Sequence, residues 1–256
     1  MSSLSICVAG VTGWTGSALA EAIAAAEDLE LHSGVSRSAA GSDLHGAPVH
    51  ATVAEALDGV DVLIDYTSHD VVKANVLAAI ERGVAVVVGT SGLTADDFLE
   101  LDDAARPRQV GVIASGNFSL TAAMAQAAAL LAARHLPSWE VIDYASASKP
   151  DAPSGTSREL AERLGQVRPP QITRATAGLQ EARGAPVGGT QVHSLRLPSF
   201  TVSTEVVFGL PDERLSIRHD AGSSAAPYVA GTLLAARAAP ATVGVVRGLD
   251  TLLLSD

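Results

Sequence analysis

The hydrophobic residues in the first half of the chain form short continuous runs, and these runs alternate with longer amphipathic stretches. Helices are predicted from residue 14 to about residue 26 and over residues 70–82. Strands that are apolar throughout and alternate with helices indicate a parallel sheet covered on both faces. The series predicts a doubly wound domain that continues to about residue 119. Its predicted strands lie at residues 4–9, 29–35, 61–66, 84–88 and 110–113.

The pattern changes after residue 119. A long helix rich in alanine and leucine is predicted over residues 120–135. Polar and apolar residues then alternate, which is typical of antiparallel strands with one open face. The alternating stretches are residues 192–197, 201–208 and 214–219. Residues 225–238 are predicted to be helical again and to pack back on the first domain.

Two domains follow from this change of pattern. The predicted fold class is α/β, with a Rossmann-type doubly wound parallel sheet domain and a smaller α+β domain with a mixed or antiparallel sheet. The first domain is predicted over residues 1–120, with residues 223–256 packing back onto it. The second domain is predicted over residues 121–222.

The composition is that of a globular protein. Of the 256 residues, 47% are hydrophobic and 18% are charged, which does not fit a disordered chain. The net charge of −11 argues against a nucleic-acid-binding protein, which normally has a basic face. The single cysteine, Cys7, lies in the first predicted strand, so no disulfide framework can form. No apolar run is long enough to span a membrane, and a single cysteine fits a reducing cytoplasm. Together with the net charge, these features lead us to expect a cytoplasmic protein without nucleic-acid or membrane partners.

A glycine-rich loop follows the first predicted strand and opens the first predicted helix. Its glycine spacing permits a tight turn and the close approach of a pyrophosphate, which then lies at the helix N-terminus. The whole loop is therefore predicted to bind a dinucleotide. Its residues are Gly10, Val11, Thr12, Gly13, Trp14, Thr15 and Gly16. The alternative is a helix start in which the glycines serve packing alone.

The end of the second predicted strand bears on the choice of dinucleotide. An NAD site usually has an acidic residue here, which accepts hydrogen bonds from the ribose hydroxyls. This chain has Ser36, Arg37 and Ser38 instead. A guanidinium pairs with a 2′-phosphate through charge-assisted hydrogen bonds, whereas a carboxylate would repel it. The predicted cofactor is NADPH, with NADH left open, and the alternative for Arg37 is a solvated loop residue.

Three further loops follow predicted strands, where a doubly wound sheet opens its ligand crevice. Their backbone groups and hydroxyls are predicted to line the cofactor, the later two at its nicotinamide ring. Ordinary turns are the alternative, because Gly, Ser and Asn favour turns for local reasons. The residues are Thr67 after the third strand, Gly89, Thr90 and Ser91 after the fourth, and Ser115 and Asn117 after the fifth.

The segment from Lys149 to Thr156 brings a cation close to a helix start. It reads Lys-Pro-Asp-Ala-Pro-Ser-Gly-Thr, and an amphipathic helix is predicted directly after it. The turn formed by Ser154, Gly155 and Thr156 offers backbone N–H groups, two hydroxyls and the positive end of a helix dipole. With Lys149 beside it, the turn is predicted to hold a carboxylate-bearing small molecule. An ordinary capped helix is the alternative.

Together, these motifs resemble the dihydrodipicolinate reductases of lysine biosynthesis. The similarity runs along nearly the whole chain, and the block at residues 151–156 after a lysine is its most specific part. The resemblance implies a homotetramer assembled through the second domain. It also implies hydride transfer from NAD(P)H to a cyclic, pyridine-like dicarboxylate. Further matching segments are residues 10–16, 61–65, 88–92, 116–119, 192–196 and 214–219.

The resemblance also assigns roles by position. It implies that the first domain binds the dinucleotide and that the second binds the substrate and forms the oligomer. A substrate carboxylate would be held by Lys149, Ser154, Gly155 and Thr156. The nicotinamide ring would lie beside Gly89, Thr90 and Asn117.

One position departs from the family pattern. The family has two histidines before the lysine, the second a proposed proton donor, and this chain has Ala145 and Ser146 there. A serine hydroxyl is a poor general acid near neutral pH, and loss of one general acid typically costs about 10²–10⁴ in rate. The candidate catalytic residues are therefore Lys149 and Ser146.

Three outcomes of this departure stay open. The chain is a slow reductase that takes its proton from water or Lys149, or it acts on another cyclic imine or enamine that supplies its own acid, or it has lost catalysis. We predict an NADPH-dependent reductase of a C=N or conjugated C=C bond in a small cyclic carboxylate. The alternatives are an NADPH-binding sensor or scaffold and an oxidoreductase of open-chain amino acids, as in aspartate dehydrogenases. No spacing of His, Cys or Glu residues suggests a metal site.

Overall fold

The structure is a computed structural model that describes residues 3–171 and 177–254. The chain divides into two compact units. One unit contains the chain up to Ser119 together with the chain from Ala225 onward, and the other contains residues 120–224. None of the helices in the described ranges is long and apolar enough to cross a membrane.

The described residues form strands and helices with the following bounds. The strands are β1 (Leu4–Ala9), β2 (Leu29–Val35), β3 (Asp43–Leu44), β4 (Ala47–His50), β5 (Val62–Asp65), β6 (Ala85–Val88), β7 (Gly111–Ala114), β8 (Trp139–Ala145), β9 (Ala185–Val187), β10 (Thr190–Arg196), β11 (Val202–Leu210), β12 (Glu213–Asp220) and β13 (Gly244–Arg247). The α-helices are α1 (Trp14–Ala24), α2 (Val53–Ala56), α3 (Val72–Glu81), α4 (Ala95–Ala105), α5 (Leu120–Ala133), α6 (Gly155–Val167), α7 (Ala226–Ala238) and α8 (Leu249–Leu253).

The first unit is built on an eight-stranded sheet with the order β13-β7-β6-β5-β1-β2-β4-β3. All neighbours pair in parallel except β3 and β4, which pair antiparallel. The order reverses between β1 and β5, and a ligand crevice opens at the carboxyl ends of the strands at such a point. This topology confirms the predicted doubly wound parallel sheet.

The sheet extends further than the sequence pattern predicts. The predicted series of strands ends at residues 110–113, but β13 pairs in parallel with β7, with Gly244 opposite Gly111. The pattern misses β13 because this short strand contains only two strongly apolar residues between a glycine and an arginine. It also misses α4, a helix with many acidic residues that begins at a capping box formed by Thr94 and Asp97.

The central strands of this sheet are inaccessible to solvent. Every residue of β5, β6 and β7 is buried, as expected when both faces of a parallel sheet are covered. The end of the chain belongs to the same unit, since α7 packs against α1. Arg237 on α7 donates hydrogen bonds of 2.6 and 2.8 Å to the carboxylate of Asp28.

The second unit is built on a five-stranded sheet with the order β12-β11-β8-β10-β9. β11 pairs antiparallel with both of its neighbours, whereas β10 runs parallel to β8. The expectation of antiparallel pairing for residues 192–197 is therefore wrong on the β8 side. The chain between β8 and β10 includes the helix α6, and a helical crossover returns the chain in the same direction. The sheet is mixed, as the predicted fold class allows.

One face of the second sheet packs against α5 and α6. Residues along β8 alternate between buried and half-buried, which is the pattern of a sheet with one covered face. The covered face contributes Trp139, Val141 and Phe208 to a core that also contains Leu164 of α6. The opposite face of β8 carries Glu140, Ile142 and Tyr144, which are half-buried.

Substitution of Gly231 tests how closely α7 packs against Phe118 and Leu249. A Cβ at Gly231 would lie 2.0 Å from the Phe118 carbonyl oxygen and 2.6 Å from Leu249 Cδ2. Gly231→Ala is expected to destabilise the protein by about 1–3 kcal/mol, because the backbone at Phe118 must move. Urea unfolding measures this loss. Gly209→Ala is the control, since no described atom lies within 4 Å of a Cβ there, and equal losses in both variants would contradict the packing.

Candidate active site

The glycine-rich loop has close contacts that require glycine at two positions. Gly10 has a φ of +83°, and a Cβ there would lie 2.2 Å from the Tyr66 carbonyl oxygen. A Cβ at Gly16 would lie 2.1 Å from the Gly10 carbonyl oxygen. No side chain caps α1 at Gly13. The start of α1 is thus shaped like a site for a phosphate group, which the helix dipole and N–H groups favour.

The other residues of this loop differ in their exposure. Val11 is buried and its side chain packs beside Gly34, so only its backbone can face a ligand. Trp14 is 54% exposed, and its ring contacts Tyr228 edge-on at a centroid distance of 5.8 Å. Thr12 is exposed and Thr15 is half-buried. An exposed aromatic residue at the helix start is available to stack on a planar ligand.

Three hydroxyl groups lie together where β2 ends. The Ser36 hydroxyl lies 2.8 Å from the Thr12 hydroxyl and 3.2 Å from the Ser38 hydroxyl. Ser36 is buried, whereas Arg37 and Ser38 are exposed. These contacts join the glycine-rich loop to the loop after β2, and Arg37 on that second loop is exposed to solvent.

Asp65 organises the loops that follow β5 and β6. Its carboxylate is buried, and Oδ1 accepts hydrogen bonds from the Thr67 N–H, the Thr67 hydroxyl and the Thr90 hydroxyl at 2.6–3.0 Å. Oδ2 accepts a bond of 2.8 Å from the Asn75 side chain. The Thr67 N–H also donates to the Thr90 hydroxyl at 2.8 Å. Two predicted cofactor residues, Thr67 and Thr90, are therefore held together, and their hydroxyl protons are already committed to Asp65.

The remaining predicted cofactor residues lie in well-packed loops. A Cβ at Gly89 would lie 2.2 Å from the Tyr66 ring, so this position requires a residue without a side chain. The Ser115 hydroxyl donates to the Asn117 carbonyl oxygen at 2.9 Å, and the Asn117 side-chain oxygen accepts from the Ser119 N–H at 2.9 Å. Ser91 is exposed. These hydrogen bonds fix the course of the loop after β7.

Asp143 on β8 is the centre of a second buried network. Its Oδ1 accepts hydrogen bonds from the hydroxyls of Ser154 and Ser157 at 2.6 and 3.0 Å. Its Oδ2 accepts from the Ser154 N–H, the Ser194 hydroxyl and the Arg196 guanidinium at 2.9–3.0 Å. Burial alone would raise the pKa of the Asp143 carboxyl, but the bonds from Ser154 and Arg196 outweigh burial and lower it. The carboxylate therefore stays ionised inside the protein.

Ser154 is the N-cap of α6, and its hydroxyl also accepts from the Ser157 N–H at 3.4 Å. The residue is 2% exposed, and both of its donors point to Asp143. This geometry differs from the expectation that Ser154 holds a substrate carboxylate, because its donors are already used. Gly155 and Thr156 are the first residues of α6. The N–H groups in the first turn of a helix point out of its N-terminal end.

Lys149 lies on the loop between β8 and α6. Its Nζ is 2.9 Å from Asp151 Oδ1, and the two side chains are 26% and 31% exposed. The Lys149 N–H donates to the Ser146 carbonyl oxygen at 3.0 Å. The Ser146 hydroxyl lies 2.9 Å from the Ser148 hydroxyl. A backbone hydrogen bond thus joins the two candidate catalytic residues, and the Lys149 ammonium is reachable from solvent.

A small cavity in the second unit adjoins this turn. It has a volume of about 300 Å³, including space open to solvent. Burial lowers the pKa of His219, so its imidazole is neutral at pH 7 and can act as a hydrogen-bond donor or acceptor. The polar residues that line the cavity are Gln126, Thr156, Thr204 and His219.

Comparison with known proteins gives consistent matches over the chain. Residues 4–118 match the family model of the dihydrodipicolinate reductase N-terminus, and residues 116–253 match that of its C-terminus. The 4-hydroxy-tetrahydrodipicolinate reductase of Synechococcus elongatus is 35% identical, covering 97% of this chain and 98% of that protein. The chain belongs to the dihydrodipicolinate reductase family. The corresponding enzyme of Mycolicibacterium gilvum is 36% identical, covering 96% of this chain and 97% of that protein.

Solved structures show the same fold. The dipicolinate-bound dihydrodipicolinate reductase from Paenisporosarcina sp. TG-14 has a TM-score of 0.77 at 24% identity, covering 98% of this chain and 99% of that one. GenD2 from gentamicin A biosynthesis, in complex with NAD, has a TM-score of 0.58 at 19% identity, covering 85% of this chain and 73% of that one. These findings confirm the predicted family, and this dihydrodipicolinate reductase family member is an NAD(P)H-dependent oxidoreductase that binds a pyridine nucleotide.

The two positions that lack the family's histidines have different environments. Ala145 is wholly buried as the last residue of β8 and packs inside the second unit. Ser146 is half-buried and begins the loop that carries Lys149. Of these two positions, 146 is therefore the one that has room at the surface for a larger side chain.

Proposed function

We propose that this chain is an NADPH-dependent reductase that transfers hydride to a C=N or conjugated C=C bond of a small cyclic carboxylate. The observation that carries the proposal is a solvent-reachable ammonium, Lys149, on the loop that leads into the start of α6, in a chain of this family. The bound cofactor supplies the hydride, and the protein supplies the position of the acceptor and the route for one proton. A substrate outside the lysine pathway is part of the proposal.

We assign the carboxylate contacts to the Lys149 ammonium and to the backbone N–H groups of Gly155 and Thr156 at the start of α6, with Ser154 shaping the turn. A helix start and an ammonium together favour an anion. The dipicolinate bound by the Paenisporosarcina enzyme supports a ring with carboxylates as the ligand of this turn.

The proton must come from a group other than an imidazole at residues 145 and 146. Hydride addition to a C=N bond is balanced by one proton on nitrogen. Lys149 can donate a proton as its ammonium, and the Ser146 hydroxyl can relay one from water. Neither matches the efficiency of a group with a pKa near the working pH, so the proposal includes a slow chemical step with the family's usual type of substrate.

NADPH is proposed over NADH because of the loop after β2. Arg37 is exposed, and its chain neighbours Ser36 and Ser38 form a hydroxyl cluster with Thr12. A 2′-phosphate would find one cation and several hydrogen-bond donors there, and no acidic residue occupies positions 36–38. Guanidinium and phosphate form the strong, charge-assisted type of hydrogen bond.

The open face of the second sheet supports a homotetramer assembled through residues 121–222. This face exposes apolar surface at Leu195, which is 36% exposed and lies opposite Tyr144, and it also carries the half-buried Ile142. Apolar residues on an open sheet face are typical of an interface. We propose that cofactor binding belongs to the first domain, residues 1–120 together with residues 223–256.

We propose a reducing cytoplasm as the compartment, because Cys7 is the single cysteine and is buried.

An NADPH-binding sensor without turnover is the second candidate. The small residues Ala145 and Ser146 favour it, because they remove the expected general acid. A sensor, however, has no need for Lys149 and an intact helix start at residues 154–156. The reductase is therefore the function we propose.

Lys149→Ala tests the substrate site. NADPH oxidation is followed by absorbance with dihydrodipicolinate and a panel of related cyclic imines. The variant should raise KM and lower kcat together, because the ammonium contacts the carboxylate in both the ground state and the transition state. Lys73→Ala is the control, since Lys73 pairs with Asp97 and Glu100 in the first unit. No oxidation by the unmodified protein with any panel member argues for the sensor.

Arg37→Ala tests the cofactor preference. The variant should weaken NADPH binding by about 10- to 100-fold, the effect of losing charge-assisted hydrogen bonds, and leave NADH binding unchanged. Fluorescence titration with both nucleotides measures the two affinities. Arg82→Ala, at the exposed end of α3, should change neither. An equal loss for both nucleotides would mean that Arg37 does not contact a 2′-phosphate.

Ser146→His tests whether proton transfer limits the rate. An imidazole at this half-buried position should raise kcat by about tenfold or more, since one general acid is worth about 10²–10⁴. The pH–rate profile should gain a limb that falls above the imidazole pKa, because only the protonated ring donates. Ser148→His places the same ring two residues away and should give no gain. An unchanged kcat in Ser146→His would assign the slow step elsewhere.

A further inference from the structure

The Asp143 network connects three parts of the second unit that lie far apart in sequence. Its donors come from the start of α6 through Ser154 and Ser157, and from β10 through Ser194 and Arg196. Asp143 itself lies on β8 and contacts both α6 and β10. One carboxylate therefore fixes the helix start relative to two neighbouring strands of the sheet.

The network also reaches the loop that carries Lys149. Arg196 Nη2 donates to the Asp151 carbonyl oxygen at 2.5 Å as well as to Asp143 at 2.9 Å. The Asp151 carboxylate in turn pairs with the Lys149 ammonium at 2.9 Å. A series of polar contacts thus runs from the buried carboxylate of Asp143 through Arg196 and Asp151 to the half-buried ammonium of Lys149.

The charges of this network are balanced in pairs. Asp143 is wholly buried and Arg196 is 19% exposed, and the two form an ion pair. A buried carboxylate without a partner is costly, and an unbalanced negative charge here would repel an anion at the start of α6. Because Arg196 balances its charge, Asp143 can hold the turn in place without repelling a ligand carboxylate at the start of α6.

We infer that Asp143 and Arg196 are positioning residues, which set the Lys149 ammonium and the N–H groups of Gly155 and Thr156 to receive a ligand carboxylate. This inference rests on the proposed function, in which those three residues bind the carboxylate. Asp143 acts on the helix start through Ser154 and Ser157. Arg196 acts on the Lys149 loop through the Asp151 carbonyl. Neither residue touches the ligand.

Two serines provide a test without any change of charge, although Ser157 is buried with its hydroxyl also 2.8 Å from the Thr204 hydroxyl, whereas Ser194 is exposed. The hydroxyls of Ser157 and Ser194 each donate to Asp143 at 3.0 Å, but Ser157 lies on α6 and Ser194 lies on β10. Calorimetry with pyridine-2,6-dicarboxylate in the presence of NADPH measures the ligand Kd. Ser157→Ala should raise this Kd by about fivefold or more, the effect of losing one buried hydrogen bond, and Ser194→Ala by less than about twofold. Equal changes in the two variants would overturn the inference.

A charge-balanced double variant separates positioning from stability. Asp143→Asn alone and Arg196→Met alone should each lower the thermal midpoint, because each leaves one charge buried without its partner. The double variant should recover much of that midpoint, since no unpaired charge remains, yet its dicarboxylate Kd should stay raised by about tenfold or more, since small misplacements of binding groups are costly. The NADPH Kd, which reports on the first unit, should stay unchanged. A double variant that binds the dicarboxylate like the parent protein would overturn the inference.

Lys149→Ala distinguishes failure of this inference from failure of the proposed function. An unchanged dicarboxylate Kd in Lys149→Ala means that the carboxylate binds elsewhere, and both proposals then fail. A raised Kd in Lys149→Ala, with parent-like affinity in Ser157→Ala and in the double variant, refutes only the positioning roles of Asp143 and Arg196.

Discussion

The structure depends on the burial of two aspartate carboxylates, Asp65 in the first unit and Asp143 in the second. A buried ionised carboxylate is stable only where donors converge on it. Each aspartate therefore dictates the course of the loops around it, because those loops must supply the donors. The loops concerned are the ones that carry predicted ligand-binding residues. The shape of both candidate sites is thus set by a requirement of the protein interior.

The two carboxylates are satisfied in different ways. Asp65 receives hydrogen bonds from neutral groups of Thr67, Thr90 and Asn75. Asp143 receives bonds from serines and also pairs with the Arg196 guanidinium. The donors in the first arrangement carry no charge, whereas the second arrangement includes an ion pair that is neutral as a whole. In the proposed site, pairing with Arg196 keeps Asp143 from repelling an anion at the start of α6.

The sequence predicts the elements whose hydrophobic pattern is unambiguous. The strands β1 and β2 have the predicted bounds, and the glycine-rich loop lies between β1 and α1 as expected. The pattern fails for β13, whose burial comes from pairing with β7 and not from its own composition. It also fails for the direction of β10, because alternation of residues does not distinguish parallel from antiparallel pairing when a helix makes the connection.

The candidate sites were predictable to a smaller degree. Residue types at Lys149 and at residues 154–156 indicate an anion site, but a serine that binds a ligand and a serine that caps a helix look alike in sequence. The structure separates them by showing Ser154 directed at Asp143. Both buried aspartates follow apolar residues within a strand, and an acid in that context is a signal that sequence reasoning could have used. The partners lie 2 to 25 positions from Asp65 and 11 to 53 positions from Asp143, and only the fold brings them together.

The pairing of β13 with β7 has a consequence for synthesis of the protein on the ribosome. The second unit is translated in full before β13 and α7 emerge, which at about 5–20 residues per second takes on the order of ten seconds. During that interval the nascent nucleotide-binding unit has an unpaired edge at β7 and an uncovered α1. Unpaired apolar edges associate with other chains. The first unit therefore stays open to association with other chains until β13 and α7 emerge, late in translation.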